Sequence, residues 1–387
     1  MSNTPQIRFA GFTDAWEQRK LEEVITVGNG MDYKHLSEGD IPVYGTGGYM
    51  LSVDKALSYD KDAIGIGRKG TIDKPYVLKA PFWTVDTLFY CIPKEDYSLD
   101  FVYCIFQNVN WKEKDESTGV PSLSKVNINS TDVKVPTLAE QEKIGAYFAQ
   151  LDNLITLHQR KCDALQKFKK SMLQKMFPQN GESVPEIRFA GFTDAWEQRK
   201  CSDFIKLVGG ATPSKANKDY WDGDIVWLSS QEIKGGFVSK GTYNITQKAV
   251  DDNTTKMIPA NTPMFISRSG ILANSFPITR ALCNVAINQD IKALLFDHTV
   301  FSNDYIVHYL ESKEQFILKS IVKSGTTVQS ISIPDFEKMP INIPASKDEQ
   351  DRIGIYFENL DTLITLHQRK LETLQKMKKS LLQKMFV

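Results

Sequence analysis

The sequence is short of several things. Nowhere does it hold about 18 consecutive apolar residues, the length needed to cross a lipid core, and its first residues, MSNTPQIRFAG, contain no apolar stretch of the kind a secretory leader requires. A cytoplasmic location is therefore expected. Cysteine is sparse and odd in number: Cys91, Cys104, Cys162, Cys201 and Cys283 form no C-x-x-C pair. With only five histidines besides, neither a disulfide framework nor a zinc site has support, and the thiols are expected to be buried and reduced. Charge of either sign is not in excess, since 47 basic residues balance 47 acidic ones. No global field draws the chain to nucleic acid or to a membrane, although a basic face on one side stays compatible with this balance.

Catalytic patterns are missing too. There is no phosphate-binding G-x-x-x-x-G-K-[ST] and no H-E-x-x-H. The glycine-rich GTGGYM (Gly45–Met50) opens no helix and reads as a turn. DKPY (Asp73–Tyr76) lacks the second proline of the Asn/Asp-Pro-Pro-aromatic tetrad expected of an enzyme methylating an exocyclic amine. In IPDFEKM, Asp335, Glu337 and Lys338 lie on a run read as a strand, where neighbouring side chains alternate faces and do not converge on a metal. No catalytic or metal site is expected.

What the chain does have is repetition. IRFAGFTDAWEQRK occupies Ile7–Lys20 and returns unchanged at Ile187–Lys200. Gln141–Phe177 and Gln350–Phe386 match without a gap at 26 of 37 positions. Between these constant pieces lie two unlike middle blocks, about 21–135 and 201–343. The chain therefore reads as a duplicated unit, which suits a length of 387 residues and a division into two or three domains.

The longer repeats predict helices. In the first, Ile144, Phe148, Leu151, Ile155, His158, Cys162, Leu165, Met172 and Met176 follow alternating steps of four and three. In the second, Ile353, Phe357, Leu360, Ile364, His367, Leu371, Leu374, Leu381 and Met385 do the same. Such a narrow heptad seam suits two long helices packed antiparallel on each other, each about 55 Å long at 1.5 Å per residue. Lys169 and Lys378 interrupt the seam near the C-terminal ends. His158 and His367 hold equivalent seam positions and are expected as hydrogen-bonded core residues. Both helix ends are basic, with Lys167, Lys169, Lys170 and Lys175 in one and Lys376, Lys378, Lys379 and Lys384 in the other.

The middle blocks carry short β-rich runs broken by Gly and Pro, with short helices expected near 100–110 and 303–320. AIGIGRKG (Ala63–Gly70) aligns with PMFISRSG (Pro263–Gly270), a strand ending in a basic loop. STGVPSLSKVNI (Ser117–Ile128) aligns with SGTTVQSISIPDF (Ser324–Phe336), a small-polar loop before a strand. Both blocks are thus expected to share one α/β fold with diverged surfaces. The polar loop residues suit nucleic acid, because Arg and Lys read guanine, Gln and Asn read adenine, and hydroxyls hold phosphate. The candidates are Arg68, Lys69, Thr71, Lys74, Thr118, Ser122, Ser124 and Lys125 in the first block. In the second they are Lys215, Asn217, Lys218, Ser267, Arg268, Ser269, Thr326, Thr327 and Gln329.

This arrangement resembles the specificity (S) subunit of type I restriction–modification systems. The likeness covers the whole chain and rests on the two near-duplicate helices opening EQ…IG.YF..LD.LITLHQRK, on the repeated IRFAGFTDAWEQRK, and on the loops GRKG and TGVPSLS. The resemblance implies an α+β fold of two α/β target recognition domains joined by two long antiparallel coiled-coil helices with internal pseudo-two-fold symmetry. The expected segments are 1–135 (first recognition domain), 136–178 (central helix), 179–343 (second recognition domain) and 344–387 (C-terminal helix). It implies that each domain reads one half of a bipartite asymmetric target in double-stranded DNA, while the helices set the spacing. Two modification (methyltransferase) subunits carrying S-adenosylmethionine would bind around the helices, whose helix–helix and partner-binding residues are expected to be Ile144, Phe148, Leu151, Ile155, His158, Leu165, Ile353, Phe357, Leu360, Ile364, His367 and Leu371. Two restriction (translocase and endonuclease) subunits using ATP and Mg²⁺ would join them. The chain itself would hold no cofactor and no catalytic site. The competing reading is a stand-alone DNA endonuclease or methyltransferase.

Overall fold

The computed structural model describes residues 4–179, 181–323, 325 and 328–386. Two compact units divide the chain: Met1–Arg160 with Gln368–Val387, and Lys161–His367. Each therefore takes one recognition block, the near part of one long helix and the far part of the other. Packing, not chain order, draws these limits, and they cut both helices.

In the first unit, four antiparallel strands lie in the order Ile25–Asn29, Leu88–Pro93, Ala63–Gly67, Tyr76–Leu78. A second sheet joins the hairpin Glu38–Gly45/Gly48–Val53 to Trp83–Thr84, the latter parallel. The expected turn in Gly45–Met50 closes this hairpin, with Gly48 at φ +106°, a region open to glycine and strained for other residues. The second unit repeats the plan. Lys206–Gly209, Ile291–Leu295, Pro263–Ile266 and Ile278–Ala281 form the same antiparallel order, extended by Gly236–Val238. Trp221–Leu228 pairs antiparallel with Tyr243–Ile245 and parallel with Val285–Ile287. Both strand pairs carry a register irregularity at the same place, between Glu38 and Ile41 and between Trp221 and Ile225.

Short helices follow at Leu99–Asn108 and Asn303–Ser312, close to where the sequence put them. Two expectations fail. The first small-polar loop runs into a short helix, Lys125–Asn129, instead of a strand, and the second meets a two-residue strand, Ser330–Ile331, before the short helix Ile333–Glu337, where Ile333–Met339 was read as a strand. Ser124 starts the first, its hydroxyl accepting from Asn127 N at 3.1 Å, and Pro334 sits in the first turn of the second, where its missing N–H costs nothing. Cys283 is exposed, while the other four thiols are buried and free. Burial pushes the Cys201 thiol up to about 12, and those of Cys91 and Cys104 higher still, which leaves them unreactive.

The long helices span Leu138–Lys175 and Lys347–Met385. Within the first unit, Phe148 lies 6.2 Å from Phe386 between ring centroids, and Asp152 accepts from Lys378 Nζ at 2.5 Å. Rising numbers in one helix meet falling numbers in the other, so the segments run antiparallel. The second unit repeats this: Lys169 Nζ donates to Asp361 at 2.7 Å, and Phe177 stacks on Phe357 at 5.6 Å. The lysines that break the apolar seam are thus matched by carboxylates on the neighbouring helix, and the interruption is a paired position. The seam is not devoted to helix pairing alone. Ile144, Phe148 and Leu151 enter the core of the first recognition block around Trp16 and Phe101, together with Leu374, Leu382 and Met385. Ile353, Phe357 and Leu360 enter that of the second around Trp196 and Tyr305, with Met176 and Phe177. Ile364 is buried as well, whereas Ile155, His158, Leu165, His367 and Leu371 are half-buried.

The repeated phrase now has a physical account. Its EQRK runs antiparallel to the strand that leads into each long helix, Glu17–Lys20 on Asp132–Val135 and Glu197–Lys200 on Pro340–Ile343. Arg8 clamps the fully buried Glu140 carboxylate through two bonds of 2.7 Å, and Arg188 clamps Glu349 at 2.6 and 2.8 Å. Such fork-to-carboxylate pairs are the strong form of ionic hydrogen bond. Gln141 and Gln350, the next residues, accept from Ser98 N and Ser302 N at the starts of the short helices. Trp16 packs edge-on to Phe101 and Phe386, and Trp196 to Tyr305 and Phe177. The constant letters therefore lock each unit shut.

Candidate nucleic-acid interface

The first concavity is built by two loops. Strand Ala63–Gly67 ends at Arg68, whose N–H donates to Thr87 O at 2.8 Å. The loop then pairs with the segment before helix Lys125–Asn129. Leu123 N donates to Arg68 O at 2.9 Å, Gly70 N donates to Pro121 O at 2.8 Å, and Lys69 lies opposite Ser122. Asp115 organises the second loop, its Oδ1 accepting from Ser117 N, Ser117 Oγ and Ser122 N at 2.8–3.0 Å. Those bonds, led by the one from Ser122 N–H, hold the Asp115 carboxyl below its usual range. The result is a surface depression of about 520 Å³. Arg68, Lys69, Ser122, Ser124 and Lys125 line it with Asn29, Phe89 and Glu116.

Five of the eight candidates of the first block thus meet at one place. Thr71 continues the tight turn behind the loop, its carbonyl so near Gly67 that no Cβ fits there. Thr118 is exposed at the tip of the loop that Asp115 holds. Lys74 belongs to a different cleft, lined also by Gln107, Asn108, Gln375 and Lys379. Asp115, Asn29 and Glu116 were not singled out from sequence. An Asx-type Asp-x-Ser (Asp115–Ser117) was the available signal for the first.

The second unit builds the same bridge. Ser267 N donates to Asp290 O at 2.7 Å, Ile331 N to Ser267 O at 2.8 Å and Ser269 N to Gln329 O at 3.0 Å, with Arg268 opposite Ser330. Ser267 is buried and its hydroxyl donates to Asp290 O at 2.9 Å, so its side chain is a framework group and not an exposed contact. Lys215, Asn217 and Lys218 lie elsewhere, in the turn entering strand Trp221–Leu228. There Asn217 Oδ1 accepts from Asp219 N at 3.1 Å, and both lysines are exposed. Thr326 and Thr327 lie outside the described residues. Glu232 was missed from sequence. It ties two loops together by accepting from Ser229 and Thr242, and it titrates below the usual range because these bonds outweigh its burial.

Among the described residues one group could hold a metal by its donors: His308, Glu311 and Asp361. Lys169 Nζ already lies 2.8 Å from Glu311 and 2.7 Å from Asp361, so a cation of the chain itself fills the position. No described helix is long and apolar enough to cross a membrane.

Sequence and fold comparisons agree on what this duplicated architecture is. The family model described as type I restriction modification DNA specificity domain matches residues 13–167 and again 193–376, and the chain belongs to this family. It is similar to a type I restriction enzyme specificity subunit of Escherichia coli, 33% identical over 168 residues, which are 43% of this chain and 41% of that protein. Another such subunit, from Methanocaldococcus jannaschii, is 23% identical over 286 residues, 70% of this chain and 65% of the relative. The chain thus spans less than two thirds of the length of these curated relatives. In fold it matches the crystal structure of a type I restriction–modification S subunit from M. genitalium, with a TM-score of 0.72, 13% identity and 99% coverage of both chains.

Proposed function

We propose that this chain is the sequence-specific DNA-recognition subunit of a type I restriction–modification complex and is itself non-catalytic. Each unit reads one half of a bipartite, asymmetric target in double-stranded DNA. The observation that carries this is the pair of identical backbone bridges bearing unlike side chains: Arg68-Lys69-Gly70 on one, Ser267-Arg268-Ser269 on the other. A shared frame with different chemistry is what reading two different half-sites requires. The lining candidates supply the contacts, with Arg68, Lys69, Ser122, Ser124 and Lys125 on one unit and Arg268, Ser269 and Gln329 on the other.

The zero net charge fits a protein that shares phosphate contacts with partners. Two methyltransferase subunits with S-adenosylmethionine dock at the constant helices, and two restriction subunits with ATP and Mg²⁺ complete the complex. The exposed apolar residues at matching helix positions support this. Leu154, Leu157 and Phe168 on the first helix correspond to Leu363, Leu366 and Met377 on the second. Equivalent apolar patches suit two identical partners.

Methylation mapping of genomic DNA from cells expressing the complete system tests the proposal. A split asymmetric motif is expected, and exchanging residues 201–343 for those of a relative changes one half of it only. A purified chain that cuts or methylates DNA without partners would sink it in favour of a stand-alone enzyme.

A further inference from the structure

Letter-by-letter alignment sets Arg68 against Arg268. The backbone sets them one residue apart. In both units the bridge is closed by the same two bonds, Leu123 N to Arg68 O and Gly70 N to Pro121 O, against Ile331 N to Ser267 O and Ser269 N to Gln329 O. The equivalent of Arg268 is therefore Lys69, and the equivalent of Arg68 is the buried Ser267.

This shift separates two roles. In each bridge the central pair, Lys69 with Ser122 and Arg268 with Ser330, is flanked by the two hydrogen bonds, and its members make no backbone bond to each other. In such a pair the two Cα atoms come closest and the side chains lie side by side on one face. The following residues, Leu123 and Ile331, are 3% and 5% exposed and point to the core. Successive side chains alternate, so Lys69–Ser122 and Arg268–Ser330 face outward. Both cations are exposed, and among the described residues neither head group has a partner. Arg68 differs: its guanidinium lies over the Phe89 ring at 5.8 Å and reaches the Asp86 carbonyl at 3.4 Å.

We propose that Lys69 and Arg268 are the equivalent specificity-determining cations, each donating to the O6 and N7 edge of a guanine in its own half-site, and that Arg68 is a positioning residue. The proposal rests on the DNA-recognition reading above. A bridge held by two backbone bonds, an outward cation whose donors meet no described residue and an adjacent hydroxyl together make a pre-positioned reader of guanine, the base whose major-groove edge offers two acceptors. Ser122 and Ser330 stand beside the cations to take a phosphate or a neighbouring base edge.

The test uses the assembled methyltransferase complex and DNA libraries randomised in one half-site at a time, reading the base preference at every position. Lys69→Ala and Arg268→Ala are each expected to erase preference for guanine at one position of one half, by about tenfold to a hundredfold, and to leave the other half unchanged. Arg68→Ala is expected to weaken methylation evenly with an unchanged profile. Thermal unfolding of each variant checks that folding persists, as expected for exposed side chains. A uniform loss with an intact profile for Lys69→Ala and Arg268→Ala would make them phosphate contacts and overturn the assignment, while a two-part motif in the parent complex still upheld the recognition reading. Erasure by Arg68→Ala would overturn it as well. A parent complex with no two-part preference would overturn both.

Discussion

Glu311 shows how far one side chain departs from what its letter suggests. Burial alone would raise its carboxyl, yet the His308 ring nitrogen at 2.9 Å and the Lys169 ammonium at 2.8 Å hold it down at about 2. A folded value below the unfolded one stabilises the fold above about pH 4.5, and the contribution is lost as pH falls from there toward 2. Asp361 has the opposite sign, because burial raises it despite Lys169, and its cost is relieved in acid. Unfolding midpoints of the parent and Glu311→Gln proteins between pH 7 and pH 3 isolate the first effect. The gap between them is expected to be widest near neutrality and to narrow as pH falls below about 4.5 toward 2. A constant gap would show that the carboxylate's charge is not what matters. No local pattern pointed to this cluster, since Lys169, His308, Glu311 and Asp361 come from three separate segments. Asp115 was readable only in part, because its role depends on a loop returning to it. Arg68 and Lys69 were found as a pair, but their division of labour was hidden, as a one-residue register is set by bonds to a distant strand.

At the scale of elements, the periodic helices and the duplicated phrase were legible, because a sustained seam without Pro leaves few alternatives. The seam's partners were not. Heptad spacing shows which face is apolar and does not say that Ile144 and Phe148 meet a recognition block while Leu374 and Met385 meet the same block from the other helix. The run Ile333–Met339, read as a strand, opens with the short helix Ile333–Glu337, and the first small-polar loop leads into the short helix Lys125–Asn129; both are too short for periodicity to distinguish. The glycine of the IG.YF motif is a further case. A Cβ on Gly354 would lie 2.5 Å from Asp304 Cβ and 2.9 Å from Tyr305 N, and one on Gly145 would meet Asp100 and Phe101 N at 2.9 Å. Both sit where the start of a short helix butts against a long one. Gly354→Ala is expected to destabilise by about 1–3 kcal/mol, the usual range for overpacking, even though alanine favours helix. Chemical denaturation measures this, and a stabilised variant would mean that the short helix can retreat.

For the whole molecule, the duplicated plan was legible and the division into compact units was not. The sequence orders the parts as block, helix, block, helix. Packing assigns Gln368–Val387 to the first unit and leaves 161–367 as the second. In the first, Ile7 N donates to Lys384 O at 3.0 Å. In the second, Ile187 N donates to Lys175 O at 2.9 Å. Each repeated phrase thus receives a helix end, and each buried Trp receives that helix's last Phe. Removing residues 374–387 is expected to loosen the first unit while sparing the second. Hydrogen exchange should therefore rise around Trp16, Phe101 and Phe148 but not around Trp196, Tyr305 and Phe357. Equal loss of protection in both would show that the units do not fold separately.

That assignment also sets an order of manufacture. The ribosome delivers every residue of the second unit before the first has received Leu374, Leu382, Met385 and Phe386. The usual sequence, in which the leading domain matures first, is therefore reversed. The first unit, begun before the second, waits longer for its core, and Trp16 lacks its Phe386 contact until the end of the second long helix has emerged.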